Sequence, residues 1–403
     1  MSSSDNKPIL VVGGGIGGLA TAYGLGLQGH SVQLLEQSEE IAPIGYGVQI
    51  GPNVLPMLAK LGLERQVREA AYYPDNLTLY HALSGDLLAQ VPLKGPAFEE
   101  RYPAPYIAIH RVDLHEILLA ACRKLSNVDL NQSSRILGFS QTNEGVAART
   151  ATGRMVEGAA LIAADGLRSH IRAQMFPDDE AFSIGYVAHR TILPMNEAPA
   201  SMRAQRGVAM WTGPNFHVIY YPLRDATEVN IVAVIKTPES EQIATDDKLY
   251  GAYIADLCKD ARPEVHDILS IVSTERRWPI SDRNPIRRWS DGRVTLLGDS
   301  AHATLQSLAQ GAGMAIEDAV ILVNLIKENG SNYEQAFKQF TQVRFLRTTR
   351  VQLESRALWP TYHCEGVDAE VRDQQMQERG ADDFYRCLDW LWKPNLTNVA
   401  LEF

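Results

Sequence analysis

A parallel α/β unit, interrupted by an antiparallel sheet and followed by helices, is the architecture predicted for this chain of 403 residues. Three observations predict it. The apolar run Pro8-Ile9-Leu10-Val11-Val12 feeds the glycine-rich turn Gly13-Gly14-Gly15-Ile16-Gly17-Gly18, a strand–turn–helix arrangement suited to a dinucleotide. Far downstream, Val294-Thr295-Leu296-Leu297 ends in Gly298-Asp299 and leads to another helix. Between them, from about 184 to 279, stretches such as His217-Val218-Ile219-Tyr220-Tyr221 and 229–234 alternate like antiparallel strands with one covered face. The nucleotide texture then returns. The expected organisation is a discontinuous nucleotide domain (1–183 and 280–350), an inserted substrate domain (184–279) and a helical tail (351–403).

Each element follows from its residues. Residues 8–12 read as a buried parallel strand. Gly13 permits the tight turn, Gly15 lets the backbone approach a pyrophosphate, and Gly18 lets the next helix pack closely on the sheet. That helix, 16–28, aims its N-terminal amides at the phosphates. The second strand, 31–36, ends at Glu36, where a carboxylate can accept from ribose hydroxyls. Its charge disfavours a 2′-phosphate, so the expected ligand is FAD or NAD. This is a Rossmann-like unit rather than a membrane span or signal peptide. Residues 8–35 lack charge, but they hold eight glycines at turn-like positions and no continuous apolar core.

A turn-rich loop is expected at 45–53, then helices at 54–61 and 111–124, where Leu114, Ile117, Leu118 and Ala121 keep helical spacing. Short strands are expected at 128–130, 135–139 and 145–149. A buried strand at 160–163 feeds Asp165-Gly166-Leu167-Arg168-Ser169. Helices are expected near 248–258, 263–270 and 311–327, and helical sequence from about 332 to the end.

Composition narrows the function. Hydrophobic content of 45% and charged content of 21% are those of a globular enzyme. The net charge of −10 argues against nucleic acid or an anionic membrane as partner. An anionic small substrate would need a local positive or hydrogen-bonding pocket. Cys122, Cys258, Cys364 and Cys387 are scattered without a CxxC pair, so neither a disulfide framework nor a metal site is expected, and a reducing cytoplasm fits best.

Gly298-Asp299 after a strand is weak by itself, although Asp299 can accept from a ribityl hydroxyl. Gln310-Gly311-Ala312-Gly313 opens a helix whose amides can face an electron-rich flavin edge. With the first motif, His110-Arg111-Val112-Asp113-Leu114 and Asp165-Gly166, the chain resembles the single-component FAD-dependent aromatic hydroxylases, the para-hydroxybenzoate hydroxylase-like group, over nearly its full length. It departs from many relatives in having Ala303 after His302, where they have Pro, and Ala163 where they have Gly. The resemblance implies FAD as cofactor and NADH or NADPH as co-substrate. It implies cofactor contacts at Gly13, Gly15, Gly18, Glu36, Arg111, Asp165, Gly298, Asp299, Gly311 and Ala312, with Gly166 and Arg168 near the pyrophosphate or nicotinamide. A flavin halogenase is disfavoured, because Arg277-Trp278-Pro279-Ile280 lacks the expected Trp-rich pattern.

Within that group the resemblance is strongest to members that hydroxylate 3-hydroxybenzoate to gentisate through a flavin C4a-hydroperoxide. Decarboxylating hydroxylation of 6-hydroxynicotinate or salicylate is the alternative. It implies a pocket lined by Tyr106, His217, Tyr221 and Gln306 for a small aromatic carboxylate, with O2 as co-substrate. A phenolate ring is a better nucleophile than a phenol, and His217 suits a base near neutral pH. Gln306 would hold the ring hydroxyl or carboxylate, and Tyr106 and Tyr221 would donate to the carboxylate. His189-Arg190 reads as structural or as part of the flavin-side rim, and His302 as support for its loop. Trp390 and Trp392 read as packing against the body or a partner, with a homodimer as the expected assembly.

Overall fold

The computed structural model describes residues 7–41 and 45–393. Short apolar runs without alternation form the centre of a six-stranded sheet. Ile9–Val12, Val32–Leu35, Ala160–Ala163 and Val294–Leu296 lie parallel. Val128–Asn131 forms one edge, and the antiparallel strand Ser290–Asp291 forms the other. Such strands are buried on both faces, so they carry no polar side. Helix Ile16–Leu27 packs against helices Arg111–Arg123 and Gly311–Asn329. A three-stranded antiparallel sheet, Ile136–Thr142, Gly145–Thr150 and Met155–Gly158, lies beside this unit.

The second large sheet has seven strands. Their order is Trp278–Asp282, Phe182–Pro194, Glu228–Lys236, Phe216–Leu223, Val208–Gly213, Asn76–His81 and Leu87–Pro92. All pairings are antiparallel except that of Asn76–His81 with Val208–Gly213. Both faces are covered, not one as the alternation predicts. Phe216, Val218 and Tyr220 pack with Ile231, Ala233, Val265 and Ile268 beneath helices Asp247–Leu257 and Pro263–Ser270. The alternate residues Ile219, Tyr221 and Val232 face a cavity. Alternation here separates two buried surfaces rather than core from water.

Other boundaries also differ from expectation. Residues 76–92, expected within the nucleotide domain, complete the seven-stranded sheet. Their alternating Leu77 and Leu79 and the turn at Ser84-Gly85-Asp86 are the signal that could have revealed them. Within the expected loop 45–53, Gly47–Ile50 is a strand paired with Ile107–His110. Backbone pairing draws this segment in, and Gly47 N–H donates to Asn230 Oδ1 at 2.8 Å. The expected break at 350 falls inside helix Tyr333–His363. Helices Gly366–Gln377 and Ala381–Trp392 complete the tail, and residues 394–403 lie outside the described residues.

Candidate active site

The two glycine motifs meet at one cavity of about 700 Å³. Gly13 has φ +106°, and a Cβ on Gly18 would stand 1.9 Å from the Gly13 carbonyl oxygen. The turn and the close helix approach therefore both exclude side chains. Gly15, Ile16 and Gly17 line the cavity from the N-terminus of helix Ile16–Leu27, and no atom stands within 4 Å of where a Gly15 Cβ would be. Opposite, Gly311, Ala312 and Ala315 line it from the start of helix Gly311–Asn329. Two helix N-termini thus put orphan amides and positive dipole ends on one space.

Glu36 Oε2 accepts from Gly14 N–H at 2.6 Å, and Oε1 accepts from Ser38 N–H at 2.9 Å. Asp165 Oδ2 accepts from His170 N–H at 3.0 Å. Its Oδ1 is buried without a partner, and Asp165 itself is not among the cavity-lining residues. Gly166 and Leu167 line the cavity, while Arg168 is exposed.

Arg111 and Asp299 line the cavity together. Asp299 is exposed to the cavity, and desolvation between its walls raises the carboxyl above its usual range, opposed by His302 and Arg111. Beneath this loop, Asp318 Oδ2 accepts from Gly298 N–H at 3.0 Å and pairs with His302 Nε2 at 2.6 Å, while Oδ1 accepts from Arg344 Nε at 2.7 Å. Burial would raise the Asp318 pKa, but His302 and Arg344 hold it down at about 2. His302 supports the loop from below. His115, which the sequence reading missed, pairs its Nε2 with the Gly14 carbonyl at 2.8 Å. No periodicity or motif marks it.

On the second sheet the cavity wall is chemically different. Tyr221, Ile219, Val232, Ala188, Leu305 and Trp278 give it an apolar lining. Arg190 reaches into it, donating to Gln306 Oε1 at 3.0 Å and lying 5.6 Å from the Tyr46 ring centroid. Its neighbour His189 points to the opposite face and meets the Tyr250 hydroxyl at 2.8 Å. Arg190, expected to be structural or at the rim, is a half-buried cation in the cavity wall. Tyr221 is pushed up to about 12 by burial, against the pull of Arg190, so it is a donor near neutral pH.

Tyr106 does not line this cavity. It donates to Gln49 Oε1 at 2.6 Å, and Gln49 does. Trp392 backs the Tyr106 ring at 5.5 Å between centroids, and Trp390 lies under Arg350 at 3.9 Å, so both tail tryptophans pack on the body. His217 is not among the cavity-lining residues either. It shares the face of strand Phe216–Leu223 that carries Ile219 and Tyr221. Its Nδ1 lies 2.8 Å from Nε2 of His363, with Trp359 and Tyr362 edge-on to its ring. Burial, then the neighbouring His363, drives its pKa well below the usual histidine value.

A nucleotide cradle opening onto the buried face of a separate sheet defines a flavoprotein that acts on a second, small ligand. A family described as FAD binding domain matches residues 6–352. The chain is 37% identical over 98% of both sequences to 3-hydroxybenzoate 6-hydroxylase of Polaromonas naphthalenivorans (strain CJ2). It is 31% identical to 6-hydroxynicotinate 3-monooxygenase of Pseudomonas fluorescens, covering 87% of this chain and 90% of that one. Its fold is similar to that of Klebsiella pneumoniae HpxO, solved with FAD and uric acid, with a TM-score of 0.85, 22% identity, and coverage of 97% and 98%. The chain belongs to the FAD-binding-domain family. It is an FAD-dependent aromatic monooxygenase, with NAD(P)H as co-substrate. Among the described residues no helix is long and apolar enough to cross a membrane.

Proposed function

We propose that the protein hydroxylates 3-hydroxybenzoate para to its ring hydroxyl, giving gentisate. The observation that carries this reading is the Arg190–Gln306–Tyr221 cluster, set in an apolar wall of the same cavity that receives both helix N-termini. A cation, an amide and a phenol donor in one small space suit an aromatic acid bearing a hydroxyl. The choice of 3-hydroxybenzoate follows the Polaromonas relative.

The seven-stranded sheet, with residues 76–92 included, serves as the substrate domain. Gly13, Gly15, Gly18 and the first helix would hold the pyrophosphate, and Glu36 a ribose. Arg111, Asp165, Gly298, Asp299, Gly311 and Ala312 would hold the remainder of the cofactor. FAD, when bound, takes electrons from NAD(P)H and supplies the activated oxygen from O2. Arg190 binds the substrate carboxylate, and Tyr221 donates to it. Gln306 orients the ring, and Tyr106 acts through Gln49. His217, neutral because burial disfavours its charge, takes the phenol proton from the strand face that also carries Ile219 and Tyr221. Unpaired Cys122, Cys258, Cys364 and Cys387 suit a reducing cytoplasm, and a homodimer is the proposed assembly.

The test is turnover of FAD-loaded protein with NADH on 3-hydroxybenzoate, salicylate and 6-hydroxynicotinate, with products and CO2 measured. Gentisate from the first, without CO2, is expected. Turnover with CO2 release on the others alone would replace this reading with decarboxylating hydroxylation. NADH oxidation stimulated by none of them would overturn both.

A further inference from the structure

We propose that His363 is a positioning and proton-accepting residue behind His217, so that a histidine–histidine pair withdraws the substrate proton. This rests on His217 as the base. The two rings lie 28° from coplanar, with centroids 5.0 Å apart and facing nitrogens 2.8 Å apart. They therefore meet nitrogen to nitrogen rather than face to face. Among the described residues neither ring forms an ion pair with a carboxylate, whereas His81 and His302 do. In a carboxylate–histidine pair the acid fixes the imidazole tautomer. Here a second imidazole occupies that position.

Geometry gives the pair a direction. His363 is the last residue of helix Tyr333–His363, where the negative end of the helix dipole favours an imidazolium. Its ring stacks on Tyr186 of strand Phe182–Pro194 at 4.6 Å, and an aromatic face also favours a cation. His217 sits in a strand, edge-on to Trp359 and Tyr362, and has neither aid. The titratable and charged groups around the pair are Tyr186 and Tyr362, together with buried Arg372, which bonds Thr212 opposite His217 and the Thr361 carbonyl and is paired with Asp373. Burial lowers both imidazoles, and His363 Nδ1 is buried without a hydrogen-bond partner.

In the step itself, the substrate O–H breaks as an N–H forms at His217 Nε2. The His217 Nδ1–H breaks as an N–H forms at His363 Nε2. The products are a phenolate, a neutral His217 in its other tautomer, and an imidazolium at His363. Net charge is conserved and no other reactant is needed. His363 is invisible as a partner in sequence, since 146 positions separate the two.

The test compares FAD-loaded full-length His363→Gln and His363→Phe with His217→Ala. Glutamine can accept the His217 N–H and hold the tautomer, but it cannot take the proton. Both His363 variants should retain FAD and lose coupled hydroxylation at pH 7 at least tenfold, with more hydrogen peroxide per NADH. General acid–base contributions of about 10²–10⁴ frame that loss. The defect should shrink as pH rises towards the phenol's own pKa of about 10, because the substrate then ionises unaided. Wild-type coupling and pH profile in both variants, with His217→Ala inactive, would overturn the role of His363 and leave His217 standing. A loss that does not narrow with pH would also overturn it. A fully active His217→Ala would instead remove the reading beneath it.

Discussion

Arg190 sets the charge balance on the sheet side of the cavity, the side proposed to take the substrate. The other guanidinium lining the cavity among the described residues, Arg111, lies where Asp299 attracts it electrostatically. Arg190→Met should therefore raise KM for the aromatic acid more than it lowers kcat, while FAD content stays the same. A lost hydrogen bond to a charged group costs about 1.5–3 kcal/mol, so KM should rise roughly ten- to hundredfold, measured by steady-state kinetics. Sequence marked this residue only as the neighbour of His189. One position along a strand decides between opposite faces, and no local pattern reveals which face meets a ligand. Tyr221 and Gln306 were readable through family resemblance, and the structure places both in the cavity wall. The His217–His363 contact was not readable, because it joins a strand to a helix end that only tertiary packing brings together.

At the scale of elements, the two-stranded sheet of Gly47–Ile50 and Ile107–His110 presses against the seven-stranded sheet. A Cβ on Gly47 would come 2.6 Å from the Tyr221 ring and 3.0 Å from Asn230. Gly47→Ala should displace Tyr221, lower kcat/KM and destabilise by about 1–3 kcal/mol, as overpacking does. Thermal melts and kinetics on one preparation check both effects. Helix Gly311–Asn329 makes a different demand. Arg344 bonds Glu317 and Asp318, each at 2.7 Å. Arg347 bonds Glu317 and also the carbonyls of Trp390 and Leu391. Arg344→Met leaves two buried carboxylates under-compensated and should cost about 3–5 kcal/mol, seen as a large fall in denaturation midpoint. The helix itself was legible from its glycine start and apolar run. Its buried ionic underside was not, since the partners lie a helix away.

Across the whole molecule, buried imidazoles make stability depend on pH. His189 and His363 are both lowered by burial, to about 4, whereas unfolded histidines titrate near about 6.5. Between these values the unfolded chain binds protons that the native chain refuses. Stability is therefore full above the upper value and falls as pH drops through the window. Each such group steepens the loss by up to about 1.4 kcal/mol per pH unit. Urea unfolding between pH 7 and pH 4.5 should show this slope, and His189→Gln should flatten it. The parallel unit was legible because its strands are continuous apolar runs beside glycine turns. The true extent of the seven-stranded sheet was only partly legible: alternating Leu77 and Leu79 mark a strand, but nothing local marks its parallel pairing with Val208–Gly213.

That last pairing has a consequence for recombination. The seven-stranded sheet that walls the cavity is assembled from two stretches of chain with the Asp165-Gly166 turn between them. It cannot be moved intact from one relative to another without the intervening stretch of chain that holds that turn. A chimaera that exchanges only 184–279 would splice two native strands of one parent onto five of the other, with the seam a few residues from the cavity. Specificity in this scaffold should therefore travel by side-chain replacement on a fixed sheet more readily than by exchange of a module.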